Sequence, residues 1–270
     1  MREELWWKLR SSPAVRQLSK LPLLAPLMRR ASLALLPLET SKVLQVQDGL
    51  AKGIVFELNP RWETGLWRGG YEPEAEEIMQ KYFKPGAVFY DVGGGVGFYT
   101  LTAARLGAKV FTIEPDPRNF ATIQRHAEMN HLETKLNLVP LAAYSRTGTL
   151  LMEPSEKDRG YGHGHAHAQE IFDTDSKDCI EVGCTTLDDF ARKNPPPDLV
   201  KIDVEGCEAD VFEGSEWLMK ETRTAILCEV HTPELGARIE EIVHRRNYDL
   251  QWLSNTESPV PWIYATARSK

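Results

Sequence analysis

A doubly wound α/β fold, with a mostly parallel sheet covered by helices on both faces, is what this sequence predicts. Three observations carry the prediction. The apolar, β-favouring run Val88–Val92 enters a loop with glycines at 93, 94, 95 and 97, and Thr100, Leu101, Ala103, Ala104 and Leu106 then recur at helical spacing. A second strand-like run, Lys109–Ile113, ends on the acidic Glu114. Beyond it, helical and strand patterns alternate as repeated strand–helix–strand units require.

At 270 residues the chain suits one such domain with an appendage. Residues 1–42 read as a helical arm. Its apolar stretches, 21–28 and 33–38, are split by Arg29 and Arg30 and broken by Pro22, Pro26 and Pro37, which fits neither a signal peptide nor a spanning helix. With Trp6, Trp7, Lys8, Arg10, Arg16 and Lys20 the arm is basic and apolar, so it is expected to pack as a lid, with peripheral contact to an anionic membrane as the sharper alternative. Residues 43–72 form a hairpin and lead-in loop: 43–46 and 54–58 alternate around Asp48-Gly49, and Trp67, Tyr71 and Glu72 follow in a glycine-rich stretch suited to closing over a ligand. Pro73 opens a helix through Tyr82 and, with it, the main domain, 73–270.

A helix over 118–130 follows the second strand, then strands at 136–139 and 149–152. Residues 153–178 are a polar, glycine- and histidine-rich insertion. His163, His165 and His167 alternate there and would share one face of an extended segment, as metal ligands do. Gly162, Gly164 and Ala166, with no cysteine nearby, favour an acceptor-facing or plain surface loop instead, and no metal is assigned. A strand at 179–185 leads to Thr186, which caps a short helix ended by Pro195, Pro196 and Pro197. The stretch 198–208 reads as a strand presenting Lys201, Asp203 and Glu205 on one face, and 224–231 does the same for Glu229 and His231. After a helix over 233–245, strands at 248–253 and 262–267 form an antiparallel hairpin that closes the sheet.

The glycine loop decides the ligand class. Glycines let backbone turn tightly and approach a ligand, whose charge then meets the N–H groups that open the next helix. The dinucleotide fingerprint spaces its glycines G-x-G-x-x-G around a pyrophosphate. Here Gly93, Gly95 and Gly97 give G-x-G-x-G, and Asp91 stands just before them. A carboxylate there repels pyrophosphate and suits a cation, such as the ammonium and sulfonium of S-adenosylmethionine. Glu114 falls close to the roughly 20 residues that put an acidic side chain on ribose hydroxyls, so it supports an adenosine-type ligand.

The bounds of the whole chain agree. A net charge of −7 argues against a general nucleic-acid binder. Four cysteines without a C-x-x-C pair suit reduced thiols in the cytoplasm. Acceptor identity and oligomeric state are not legible.

Over residues 65–232 the chain resembles an FkbM-type methyltransferase. The resemblance rests on Gly70-Tyr71-Glu72-Pro73, the loop 91–97, Glu114-Pro115, Thr186 to Phe190 and, above all, Lys201-Ile202-Asp203-Val204-Glu205-Gly206 with Glu208. Gly94-Gly95 departs from the Ala-Asn common in that family. The resemblance implies a seven-stranded Rossmann-like class I methyltransferase fold and O-methylation of a small-molecule or glycan acceptor: a sugar, glycolipid or other natural product. On this reading Tyr71, Glu72, Asp91, Gly93, Gly95, Gly97 and Glu114 hold S-adenosylmethionine. Asp203, Glu205 or His231 takes the acceptor proton, and Lys201 orients the carboxylates or balances the oxyanion. The rivals are a nicotinamide-dependent oxidoreductase, which must explain Asp91, and a non-catalytic cofactor-binding protein, which must explain Lys201, Asp203, Glu205 and His231.

Overall fold

The computed structural model describes residues 41–60, 63–153, 168–169, 179–253 and 260–268. The expected arm, apart from Ser41 and Lys42, lies outside the described residues, as do His163, His165 and His167.

Strands β1 (Lys42–Gln45) and β2 (Val55–Leu58) form the expected antiparallel hairpin. The lead-in loop holds an element its sequence conceals, helix α1 (Thr64–Arg68). Gly65 lowers helix propensity there, and burial of Leu66 and Trp67 supplies what propensity does not. Then α2 (Pro73–Tyr82), β3 (Val88–Val92), α3 (Phe98–Arg105), β4 (Lys109–Ile113), α4 (Pro117–Met129) and β5 (Leu136–Val139) follow within two residues of expectation. Next are β6 (Ala142–Ala143), β7 (Gly148–Met152), β8 (Ala168–Gln169), β9 (Ile180–Thr185), α5 (Leu187–Ala191) and β10 (Leu199–Ile202). The chain closes with α6 (Glu208–Glu213), β11 (Ala225–Glu229), α7 (Pro233–Arg245), β12 (Tyr248–Leu253) and β13 (Trp262–Ala267).

The main sheet has seven strands in the order β12-β13-β11-β10-β3-β4-β5. From β5 to β11 all neighbours are parallel, while β13 runs antiparallel to β11 and to β12. Strand order reverses between β3 and β10. In open sheets of this kind the crevice beyond the carboxyl ends at such a reversal is where ligands bind.

Side-chain alternation divides the core. Phe89, Leu199 and Leu227 face the layer with the hairpin, α2 and α3, whereas Tyr90, Val92, Val200, Ile202 and Ile226 face α5, α6 and α7. The hairpin belongs to the first of these layers, through Ile54, Phe56 and Leu58. Polar bonds fix it there. Asn130 pairs with both backbone groups of Val55 at 2.8 and 2.6 Å, and His126 accepts from Glu57 N at 3.0 Å while its Nδ1 donates to Val96 O at 2.8 Å. Burial lowers the His126 pKa, in keeping with a neutral ring that joins hairpin to glycine loop.

Two expectations need correction. Strands 149–152 and 179–185 do not extend the parallel sheet; β7 and β9 pair antiparallel with each other in a four-stranded side sheet, β6-β9-β7-β8. A parallel neighbour needs a crossover connection, usually helical, and the few residues between β5 and β7 hold none. The other concerns the strand expected over 198–208, which stops at Ile202. Glu205 has φ 56° and Gly206 φ 116°, so the chain turns away beyond the sheet.

Candidate functional site

Two adjoining clefts open at the strand reversal. The larger, about 840 Å³ and open to solvent, is walled by Glu114, Asn119, Ala143, Leu150, Met152 and Val182, so the side sheet supplies one apolar side of it. The smaller, about 680 Å³, is lined by Glu63, Tyr71, Glu72, Tyr99 and Lys201. Gly93, Gly95 and Asp203 belong to both.

Glycine is needed at the shared wall for two different reasons. A Cβ on Gly93 (φ +78°) would stand 1.7 Å from the carbonyl oxygen of Asp203, so the β3 and β10 tips touch only because it is absent. A Cβ on Gly95 (φ +56°) would meet nothing within 4 Å, which suits a residue that leaves room for a ligand. Gly97 (φ +84°) lies in neither cleft; its Cβ would strike Leu101 and Ile123, so it serves the packing of α3.

Glu114 ends β4 almost fully buried. Its Oε2 accepts from Gly95 N at 2.9 Å, and its Oε1 accepts from Asp116 N at 3.0 Å and Asn119 Nδ2 at 3.4 Å. Burial pushes its carboxyl up to about 7, against these hydrogen bonds.

Asp91 sits elsewhere than the sequence reading put it. It lines neither cleft and is 1% exposed, with Oδ2 accepting from Thr100 Oγ1 at 2.5 Å and Oδ1 3.4 Å from Lys201 Nζ. Strand register sets this pair, because Asp91 and Lys201 are direct partners across β3 and β10. Lys201 also donates to Gly93 O at 2.7 Å and meets Asp203 Oδ2 at 3.1 Å. Burial alone would depress its pKa, but Asp203 and Asp91 hold it above the usual lysine range, so it is a fixed cation under the glycine loop. Replacing it leaves Asp91 buried without its counter-ion: Lys201→Met should cost about 3–5 kcal/mol in urea unfolding, and a cost below about 1 kcal/mol would refute this role.

Glu72, unlike Asp91, lines the smaller cleft. It is buried, held at φ 50°, and takes a hydrogen bond from Tyr99 OH at 2.6 Å. Burial pushes its carboxyl up to about 7. Tyr71 lines the same cleft, packed edge-on against Phe98 at 5.5 Å between ring centroids.

Although β10 ends early, its charged groups do converge. His231 Nε2 is 3.2 Å from Glu205 Oε2 and 3.8 Å from Asp203 Oδ1, and its Nδ1 is 2.7 Å from Glu208 Oε1. Burial would lower the histidine pKa, but the hydrogen bonds to Glu205 and Glu208 carry it up to about 11. Glu229, 9% exposed, faces Asp203 and Glu72, and burial plus their charges push it up to about 9.

Sequence reasoning passed over several of these residues. Glu63, pushed up to about 8 by burial, had no motif to mark it. Tyr99 was marked only by following the glycine loop. The apolar wall of Leu150, Met152 and Val182 is visible as strand pattern but not as part of a site.

The model of the FkbM methyltransferase domain matches residues 91–250. A ribosomal protein L11 methyltransferase of Pelotomaculum thermopropionicum is 32% identical over 87 residues, 32% of this chain and 28% of that protein. A ubiquinone biosynthesis O-methyltransferase of Methylocella silvestris is 36% identical over 81 residues, 30% of this chain and 28% of that protein. The chain thus spans less than a third of the length of these curated relatives. The crystal structure of a methyltransferase FkbM from Methylobacillus flagellatus aligns with a TM-score of 0.47 at 17% identity, covering 66% of this chain and 43% of that one.

Proposed function

The chain belongs to the FkbM methyltransferase family, and we propose that it uses S-adenosylmethionine as methyl donor and methylates a hydroxyl oxygen of a sugar, glycolipid or other natural product. The carrying observation is Asp203: it lines both clefts and is held between Lys201 at 3.1 Å and His231 at 3.8 Å.

The residues present fit this donor. Gly95 leaves open space beside Glu114, whose carboxylate is placed to accept from ribose hydroxyls, and the side sheet offers an apolar wall for a purine. Glu72 faces the smaller cleft, where an ammonium would satisfy a carboxylate that burial otherwise holds partly protonated. When bound, the donor supplies a methyl carbon activated by its sulfonium.

What the chain then contributes is placement and proton handling. An alcohol is barely ionised at neutral pH, so a base that takes its proton adds about 10²–10⁴-fold. Both ring nitrogens of His231 are engaged by carboxylates, which leaves Asp203 as the proton acceptor and His231 as its charge partner. Lys201 positions Asp203 and balances the developing oxyanion. An amine acceptor would have no use for two cations around the base. The test is a ¹³C-methyl donor with paired hydroxyl and amine acceptors, read by ¹³C NMR. Methyl on oxygen supports the reading, and methyl on nitrogen alone overturns it.

Donor binding should also report Glu114. Hydroxyl donors favour the ionised carboxylate, and burial pushes the Glu114 carboxyl up to about 7, so binding below that pH must expel a proton. The Kd of S-adenosylhomocysteine should therefore rise as pH falls from 8 to 6, approaching about tenfold per unit from this group, and the Glu114 contribution should flatten above pH 8. Calorimetry on Glu114→Gln should show weaker binding that lacks this share of the slope; an unchanged slope would remove the assignment.

A further inference from the structure

We propose that Asp203, Glu205 and His231 bind a divalent cation of the manganese or magnesium class at the edge of the larger cleft. One donor atom from each lies within 4.8 Å of the others. The ring Nε2 is 3.2 Å from Glu205 Oε2 and 3.8 Å from Asp203 Oδ1. In an octahedron with bonds of about 2.1–2.3 Å, adjacent donors stand about 3.0–3.3 Å apart and opposite donors about 4.2–4.6 Å apart. The three atoms therefore need only small shifts to share one ion.

The imidazole is already oriented as a ligand, and an arriving ion would displace the Nε2 proton to solvent and take its place between the carboxylates. Glu208, fully buried on α6, takes Nδ1 at 2.7 Å and turns Nε2 toward the two carboxylates, the carboxylate–histidine–metal order that orients ligands at metal centres. Two further carboxylates border the site. Glu229, 9% exposed, faces Asp203 and His231 and accepts no hydrogen bond among the described residues. Glu208 Oε2 is buried without a hydrogen-bond partner among the described residues. With His231 neutral as a ligand, Asp203, Glu205 and Glu208 outnumber Lys201, which Asp91 already shares, and buried carboxylates persist only when paired, protonated as Glu229 is, or bound to metal.

The donor set narrows the ion. Carboxylate oxygens suit magnesium and manganese, and manganese also accepts an imidazole. Coordination positions not taken by protein would face the cleft that Asp203 and Glu205 line. Two neighbouring oxygens of an acceptor, as in a vicinal diol or an α-hydroxy carbonyl, would complete them, and coordination would make the hydroxyl more acidic. That acceptor class rests on the methyl-transfer reading; the cation site does not.

The test is titration of Mn²⁺ into metal-stripped, full-length protein without donor, followed by electron paramagnetic resonance. One saturating site is expected, with pulsed spectra showing nitrogen modulation from a single imidazole. His231→Gln should abolish the modulation and weaken binding at least tenfold, and Glu205→Gln should also weaken binding. Glu208→Gln, which acts only through His231, should weaken it about 10–100-fold. Calorimetry with S-adenosylhomocysteine reports whether each variant remains folded. No Mn²⁺ binding, no imidazole signature, or binding indifferent to a folded His231→Gln protein overturns the proposal. Donor-product binding without Mn²⁺ binding sinks the cation site and leaves methyl transfer standing; Mn²⁺ binding without donor-product binding does the reverse.

Discussion

Asp203→Asn should lower kcat by about 10²–10⁴-fold while changing the affinity for S-adenosylhomocysteine by less than about threefold. Asparagine keeps the size of the side chain and its contact with Lys201 but cannot take a proton. Asp203 stands where both clefts meet, with Lys201 on one oxygen and His231 near the other, so its loss removes chemistry rather than the donor site. If product affinity collapsed in parallel with turnover, Asp203 would be part of the donor cradle. If turnover were unchanged, the proton acceptor would lie elsewhere.

Gly93→Ala should abolish detectable donor binding and lower stability by about 2–4 kcal/mol. The added Cβ would stand 1.7 Å from a backbone oxygen, that of Asp203, which cannot rotate aside as a side chain would. The carbonyl of Gly93 also holds Lys201 at 2.7 Å, so a shifted loop disturbs the buried ion pair beneath it. Gly86→Ala is the control. Gly86 has a similar φ of +86° but a Cβ there meets nothing within 4 Å, so only the backbone penalty of about 1–2 kcal/mol applies. Equal losses in the two variants, by urea unfolding, would show that conformation rather than close approach makes Gly93 necessary.

Much of this site is legible in the sequence because its parts are local. The glycine loop, Glu114 at the next strand tip and the Thr186 cap each follow from a few adjacent residues, and each is found where it was expected; Thr186 accepts from Asp189 N. The role of Asp91 was not legible, because its position beside the glycines is the same whether it faces a ligand or a lysine. The register of β3 with β10 decides that, and register is a long-range property. The side sheet was hidden for a similar reason. Strands β7 and β9 have ordinary strand patterns, and only the missing crossover helix tells that they pair with each other. The turn at Glu205 was hidden too, since alternation of Lys201, Asp203 and Glu205 looks the same in a strand and in the bend that ends one.

The central claim is that one donor molecule spans both clefts across the glycine loop, and a crystal structure with S-adenosylhomocysteine tests it most directly. The account predicts ribose hydroxyls within hydrogen-bond distance of the Glu114 carboxylate, the purine against Leu150, Met152 and Val182, and the amino-acid end beside Glu72. A ligand bound away from Gly93 and Gly95, or with its ribose remote from Glu114, would contradict it.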